Sequence, residues 1–126
     1  KTASSERIIP LVGSAKWAAE RILVQPDGSE FAFPNYNDGQ RTNANSASAA
    51  LNKWLKTKIG QGYTIHSLRH SMRDRLRGVE CPSDVIDQIG GWLTHGVGSS
   101  YGDGHPIKIL NNYITQMRGS DRRFGE

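Results

Sequence analysis

The chain has 126 residues, of which 36% are hydrophobic and 22% charged, so it is no disordered tail and is long enough for one compact domain with a modest core. Its single cysteine, Cys81, excludes an internal disulfide and a cysteine-built metal cluster and suits a reducing, cytoplasmic setting. No apolar run approaches the roughly 18 residues of a membrane span and no signal-peptide pattern opens the chain, so no membrane partner is expected.

In chain order, Arg7–Val12 (RIIPLV) reads as a strand. Ser14 is placed to cap a helix running to about Leu23, with Ala15, Ala18, Ala19, Ile22 and Leu23 on one side. Pro26-Asp27-Gly28-Ser29 spells a turn, Phe31–Phe33 a second short strand, and Asn35–Asn45 a polar loop. Ser46 opens an amphipathic helix in which Ala47, Ala50, Leu51, Trp54 and Leu55 recur at helical spacing until Gly60 stops it. A further helix covers about His66–Arg77, another follows Pro82 and stops at Gly90-Gly91, and the last runs from Pro106 to Arg118. Ile107, Leu110, Ile114 and Met117 form the stripe of that last helix, which packs on its own domain by default. The pattern predicts a mainly α fold with a small antiparallel β element near the N-terminus, as one domain without repeats or linkers.

The net charge is +4 and the isoelectric point near 9.5. What makes this informative is where the charge sits. Between Lys53 and Val79, seven basic residues (Lys53, Lys56, Lys58, Arg69, Arg73, Arg75, Arg77) face one acid, Asp74. Concentrated basic charge is the footprint of a polyanion, although a solvated face with counterions gives the same count.

The helix HSLRHSMRDRLRG sharpens this. At 100° per residue, His66, Arg69, His70, Arg73 and Arg77 fall within an arc of about 100°, beside an apolar arc of Leu68, Met72 and Leu76 that should face the core. Cationic side chains so crowded repel one another unless an anion lies across them, and arginine forks match phosphate oxygens. His66 and Arg69, three residues apart, can address one phosphate. His70, next to the apolar arc, reads more readily as a core or supporting histidine. Arg73, Arg77, Lys56 and Lys58 are candidate DNA contacts, with solvation or ion pairing as the alternative for each arginine. Zinc at His66 and His70, with His95 or His105, has little support: no glutamate sits inside the pair and Cys81 stands alone. No metal or cofactor is expected. The glycines of GVGSSYG do not form a dinucleotide loop either, being G-x-G-x-x-x-G.

HSLRHSMRDRLRG followed by IGGWLTHGVGSSYGDG resembles the C-terminal catalytic core of the tyrosine recombinases, of phage integrase type. The family pattern is H-x-x-R on a helix, a His or Trp after a Gly some 26 residues on, and a nucleophilic Tyr nine residues later. Here His66-x-x-Arg69 is followed by Trp92, 26 positions after His66, and by Tyr101 nine positions further. The opening KTASSERIIPL is similar to the family's β-hairpin, K-T-x-x-S-x-R-x-I-P-L.

The resemblance implies a site-specific DNA recombinase that cuts and rejoins duplex DNA through a 3′-phosphotyrosyl intermediate, without metal or nucleotide. Tyr101 would be the nucleophile, Arg69 a clamp on the non-bridging oxygens, His66 a base or proton shuttle, Trp92 a phosphate contact and Lys1 the general acid. Lys16, Lys53, Lys56 and Lys58 remain open alternatives for that lysine. The family carries another catalytic arginine upstream of the hairpin, in a G-L-R-x-x-E helix. Residues 1–126 would then be the later part of a catalytic domain, without the core-binding domain, and would cleave weakly or not at all alone. The partners implied are double-stranded DNA and further protomers, a tetramer on DNA, with the helix after the tyrosine docking into a neighbour. GVGSSYGDG is expected to be pliant, with Tyr101 out of line with Arg69 until assembly. Two other readings stay open: a type IB topoisomerase or telomere resolvase, which share the constellation, and a basic helical DNA-binding module without catalysis.

Overall fold

The computed structural model describes residues 6–24, 28–92 and 104–120. Mainly helical, they contain five α-helices: α1 Gly13–Leu23, α2 Ala44–Lys58, α3 Ile65–Gly78, α4 Ser83–Gly90 and α5 Ile107–Ser120. None is long and apolar enough to cross a membrane. The chain divides into two compact units, residues 1–16 with 71–126, and residues 17–70, so that α1 and α3 each begin in one and end in the other.

The first unit is built on α4. Pro82 precedes the helix, where its missing N–H costs no hydrogen bond, and Asp84 lies in the first turn. Val85, Ile86 and Ile89 recur at helical spacing and are buried with Leu76 of α3, Cys81, and Leu110 and Ile114 of α5. Burying each of the larger side chains contributes roughly 1.5–3 kcal/mol. Gly91 ends the helix at φ 65°, the left-handed conformation that glycine adopts without a Cβ clash. The Trp92 N–H then donates back to the Asp87 carbonyl at 3.0 Å. Met72, Val79, Trp92, Tyr113 and Met117 pack around this cluster. Three of the four apolar positions read from α5 therefore pack on their own unit, while Ile107 stays exposed.

The expected strand over Arg7–Val12 is not formed; no ladder partner lies beside it among the described residues. Pro10 lacks a donor, and the segment is held by a side chain instead. Arg7 donates from Nε to the Ile89 carbonyl at 3.0 Å and from Nη2 to the Gly90 carbonyl at 3.2 Å. A cation thus satisfies two acceptors that the end of α4 leaves over.

The second unit holds α2, which is capped by Asn43 rather than Ser46. The Asn43 side chain accepts from the Ser46 N–H at 3.2 Å, so the helix starts two residues earlier than its apolar pattern suggests. Phe31–Phe33 is bent rather than extended and leads into a 3₁₀ turn at Pro34–Tyr36. The β structure among the described residues is one antiparallel bridge, Asn37 to Thr42. The loop between is set by Asp38, whose carboxylate accepts from the Gln40 and Arg41 N–H groups at 3.0 and 2.7 Å and is held below the usual carboxylate range by those two bonds, Arg41 foremost. Of the apolar stripe read along α2, Leu55 is buried, but Leu51 and Trp54 are 48% and 55% exposed.

Candidate functional site

The start of α3 is fixed from two directions. The Thr64 N–H donates to Ser67 Oγ at 3.2 Å while the Ser67 N–H donates to the Thr64 carbonyl at 2.9 Å. The Ile65 N–H donates to Asn52 Oδ1 of α2 at 2.8 Å. With these first amides satisfied, the helix presents His66 to solvent one turn before Arg69, which is half-buried. His70 is exposed too, so of its two readings the core one fails and the supporting one stands: its imidazole meets that of His66 edge-on, with centroids 5.1 Å apart and planes at 75°. The apolar arc beside them is graded along the helix. Leu68 is exposed, Met72 half-buried and Leu76 fully buried.

Arg73 differs from its neighbours on the basic stripe. Its Nη2 lies 3.4 Å from Asp87 Oδ1, and its guanidinium carbon stands 4.8 Å from the centroid of the Trp92 ring. Asp87 is 8% exposed, a burial that a carboxylate tolerates only with a partner. Arg73, a candidate DNA contact, is ion-paired with Asp87 within its own unit, the alternative named for each arginine. Arg77 pairs with Asp74 at 3.6 Å, both side chains being largely in solvent, where such a pair contributes little. Lys56 and Lys58 are exposed at the end of α2.

Trp92 is half-buried against the core cluster of the first unit. Its six-membered ring lies so close over Gly90 that a Cβ there would overlap it. The two glycines of GGW thus have separate duties: Gly91 supplies the left-handed turn and Gly90 the space for the indole. Trp92 thus packs on the core while the Arg73 guanidinium stands over its ring.

Past this point the chain returns to α4. Gln88 accepts from the His105 N–H at 2.7 Å and donates to the His105 carbonyl at 3.0 Å, clamping the approach to α5. His105 Nε2 lies 2.7 Å from Asp84 Oδ2, and that hydrogen bond holds the Asp84 carboxyl below its ordinary range. Burial pushes the Cys81 thiol up to about 11, with Asp84 adding to the effect, so Cys81 is no nucleophile at neutral pH.

Tyr101 and Lys1, the expected nucleophile and acid, lie outside the described residues, as do His95 and most of GVGSSYGDG. The structure thus brings His66 together with His70 in the second unit, and Arg73, Asp87 and Trp92 together in the first. Asp87, Gly90 and Arg7 escaped the sequence reading. Asp87 left a trace there: an acid inside the apolar pattern VIDQIGGW demands a cation. Comparison with protein-family models, curated proteins and solved structures finds no match to this chain.

Proposed function

We propose that the chain carries the phosphoryl-transfer residues of a tyrosine recombinase of phage integrase type. The observation that carries this reading is the joint spacing of His66-x-x-Arg69, Trp92 and Tyr101, together with a continuous α3 that keeps His66 solvent-exposed one turn from Arg69. In the reaction, the Tyr101 phenol oxygen attacks a DNA phosphorus and the O5′–P bond breaks, leaving a 3′-phosphotyrosyl link and a 5′-hydroxyl. The phenol, with an ordinary pKa of about 10, is about 0.1% ionised at pH 7, so its proton must pass to a base, the role given to His66. Arg69 offsets charge on the non-bridging oxygens and Trp92 offers its indole to one of them. A proton from Lys1 completes the departing 5′-hydroxyl. Since the phosphotyrosyl link is an ester like the one broken, attack by a strand's 5′-hydroxyl reverses the step without a metal or nucleotide. The exposed lysines of α2 add sequence-independent attraction to DNA.

The test uses the natural full-length protein and a library of nicked duplexes with random sequence around the nick. Wild type is expected to yield a protein–DNA adduct that survives denaturant, with nucleotide attached to the peptide containing Tyr101. Tyr101→Phe should bind DNA within about two-fold of wild type and yield no adduct, because removing a hydroxyl that acts only in the transition state spares ground-state binding. An adduct that persists in Tyr101→Phe overturns the proposal. So does DNA binding by wild type without any adduct, which would leave a basic helical binding module.

A further inference from the structure

We infer that Arg73 is a positioning residue that fixes the indole of Trp92, not a phosphate contact. The part of this that concerns phosphate rests on the proposed function; the part that concerns Trp92 does not.

An arginine grips phosphate through a planar edge, two parallel N–H groups on neighbouring nitrogens. In Arg73 the edge formed by Nε and Nη2 does not offer two free, accessible N–H groups. Nη2 faces Asp87 Oδ1 at 3.4 Å, and Nε is buried without a hydrogen-bond partner. A phosphate gripping through Nε and Nη2 would have to displace Asp87 and uncover the buried Nε. The Arg73 guanidinium carbon lies over the Trp92 ring, 4.8 Å from its centroid. The position suits a cation over the π-face of tryptophan, the aromatic ring with the strongest attraction for cations.

The geometry on the other side agrees. Gly90 leaves no side chain between helix and ring, so the indole lies directly over the end of α4. Its backbone is pinned by the Trp92 N–H to the Asp87 carbonyl at 3.0 Å. Asp87 thereby holds Trp92 twice, through its main chain directly and through its carboxylate by way of Arg73. Backbone, core and Arg73 together restrict the ring's orientation. Since Arg73 stands on α3 one turn after Arg69, the same helix carries a residue proposed for the reaction and the clamp on another.

The experiment isolates Trp92 emission by Trp17→Phe and Trp54→Phe, two tryptophans that are more than half exposed. In that background Arg73→Met should raise the acrylamide quenching constant of Trp92 roughly two- to five-fold, the population shift expected from loss of a surface cation–π contact. Arg73→Lys should recover part of it, since an ammonium can sit over a ring but cannot also fork to Asp87. If Arg73→Met does not fold because Asp87 is left buried and unpaired, Arg73→Met with Asp87→Leu removes both charges and should show the same rise. Unchanged quenching in the folded variant overturns the inference. A second readout concerns DNA: the slope of log affinity against log salt should be unchanged by Arg73→Lys or Arg73→Met, whereas a lost phosphate contact lowers it by about 0.9. A slope that falls by that amount in Arg73→Met, but not in Arg73→Lys, identifies a phosphate contact and also overturns it. Failure of adduct formation with the quenching result intact refutes the recombinase reading alone.

Discussion

Alanine in place of Gly90 sets two opposing effects against each other. At an open helical position this change would stabilise the chain by about 0.5–1 kcal/mol, since alanine loses less backbone entropy. Gly90 is the last residue of α4, and the new Cβ would overlap the six-membered ring of Trp92. That ring is not the loose end of a flexible side chain: it is packed on the core and faced by Arg73. Overpacking of this kind costs about 1–3 kcal/mol, and displacing the indole forfeits a cation–π contact of about 0.5–1 kcal/mol as well. The net expectation for Gly90→Ala is a loss of about 0.5–3.5 kcal/mol, read from urea unfolding followed by far-ultraviolet circular dichroism. The sign should reverse once the ring is gone. In a Trp92→Ala background the same substitution should be neutral or stabilising, for a coupling between the two positions of about 1.5–4 kcal/mol. Gly90→Ala that is as stable as wild type while Trp92 is present would refute the packing argument. Equal losses with and without Trp92 would refute it too.

Other consequences can be measured on the same protein. Leu76→Ala, which empties a fully buried position, should cost about 2–5 kcal/mol in urea unfolding, while Leu51→Ala on the exposed face of α2 should change stability by less than about 0.5 kcal/mol. Asp84 has a depressed carboxyl pKa because of His105, so its contribution is whole above the ordinary carboxylate range near ~3.9 and is lost as pH falls through the lower folded value. Asp84→Asn should therefore cost less than about 1 kcal/mol at neutral pH, the pair being largely exposed, and the gap to wild type should close in acid when stability is followed against pH.

The helices were largely legible in the sequence because their punctuation is chemical. Pro82 and the Gly90-Gly91 pair bound α4 as read, while its buried positions Val85, Ile86 and Ile89 come from the structure. The strand over Arg7–Val12 was misread because an apolar run with two isoleucines looks the same whether a ladder or a side chain holds it; here Arg7 reaches the end of α4. Helical spacing along α2 identified an apolar stripe but carries no information about what covers it, which is why Leu55 is buried while Leu51 and Trp54 are not. For the candidate site, helical spacing put His66 and Arg69 one turn apart, and Trp92 entered only through the family resemblance. It could not distinguish Arg73 from the other arginines of its stripe, since that distinction lies in Asp87 and Gly90, on another helix.

The buried thiol gives this molecule a clock. The chain has one cysteine, it lies in the core cluster of the first unit, and its pKa is pushed up to about 11. The thiolate, not the thiol, attacks an electrophilic reagent, so Cys81 is shielded twice, by the atoms around it and by its own proton. Reaction with such a reagent can proceed only through states in which that cluster has come apart. Its rate therefore counts openings of the α3–α4–α5 core, and no other sulfhydryl contributes to the reading.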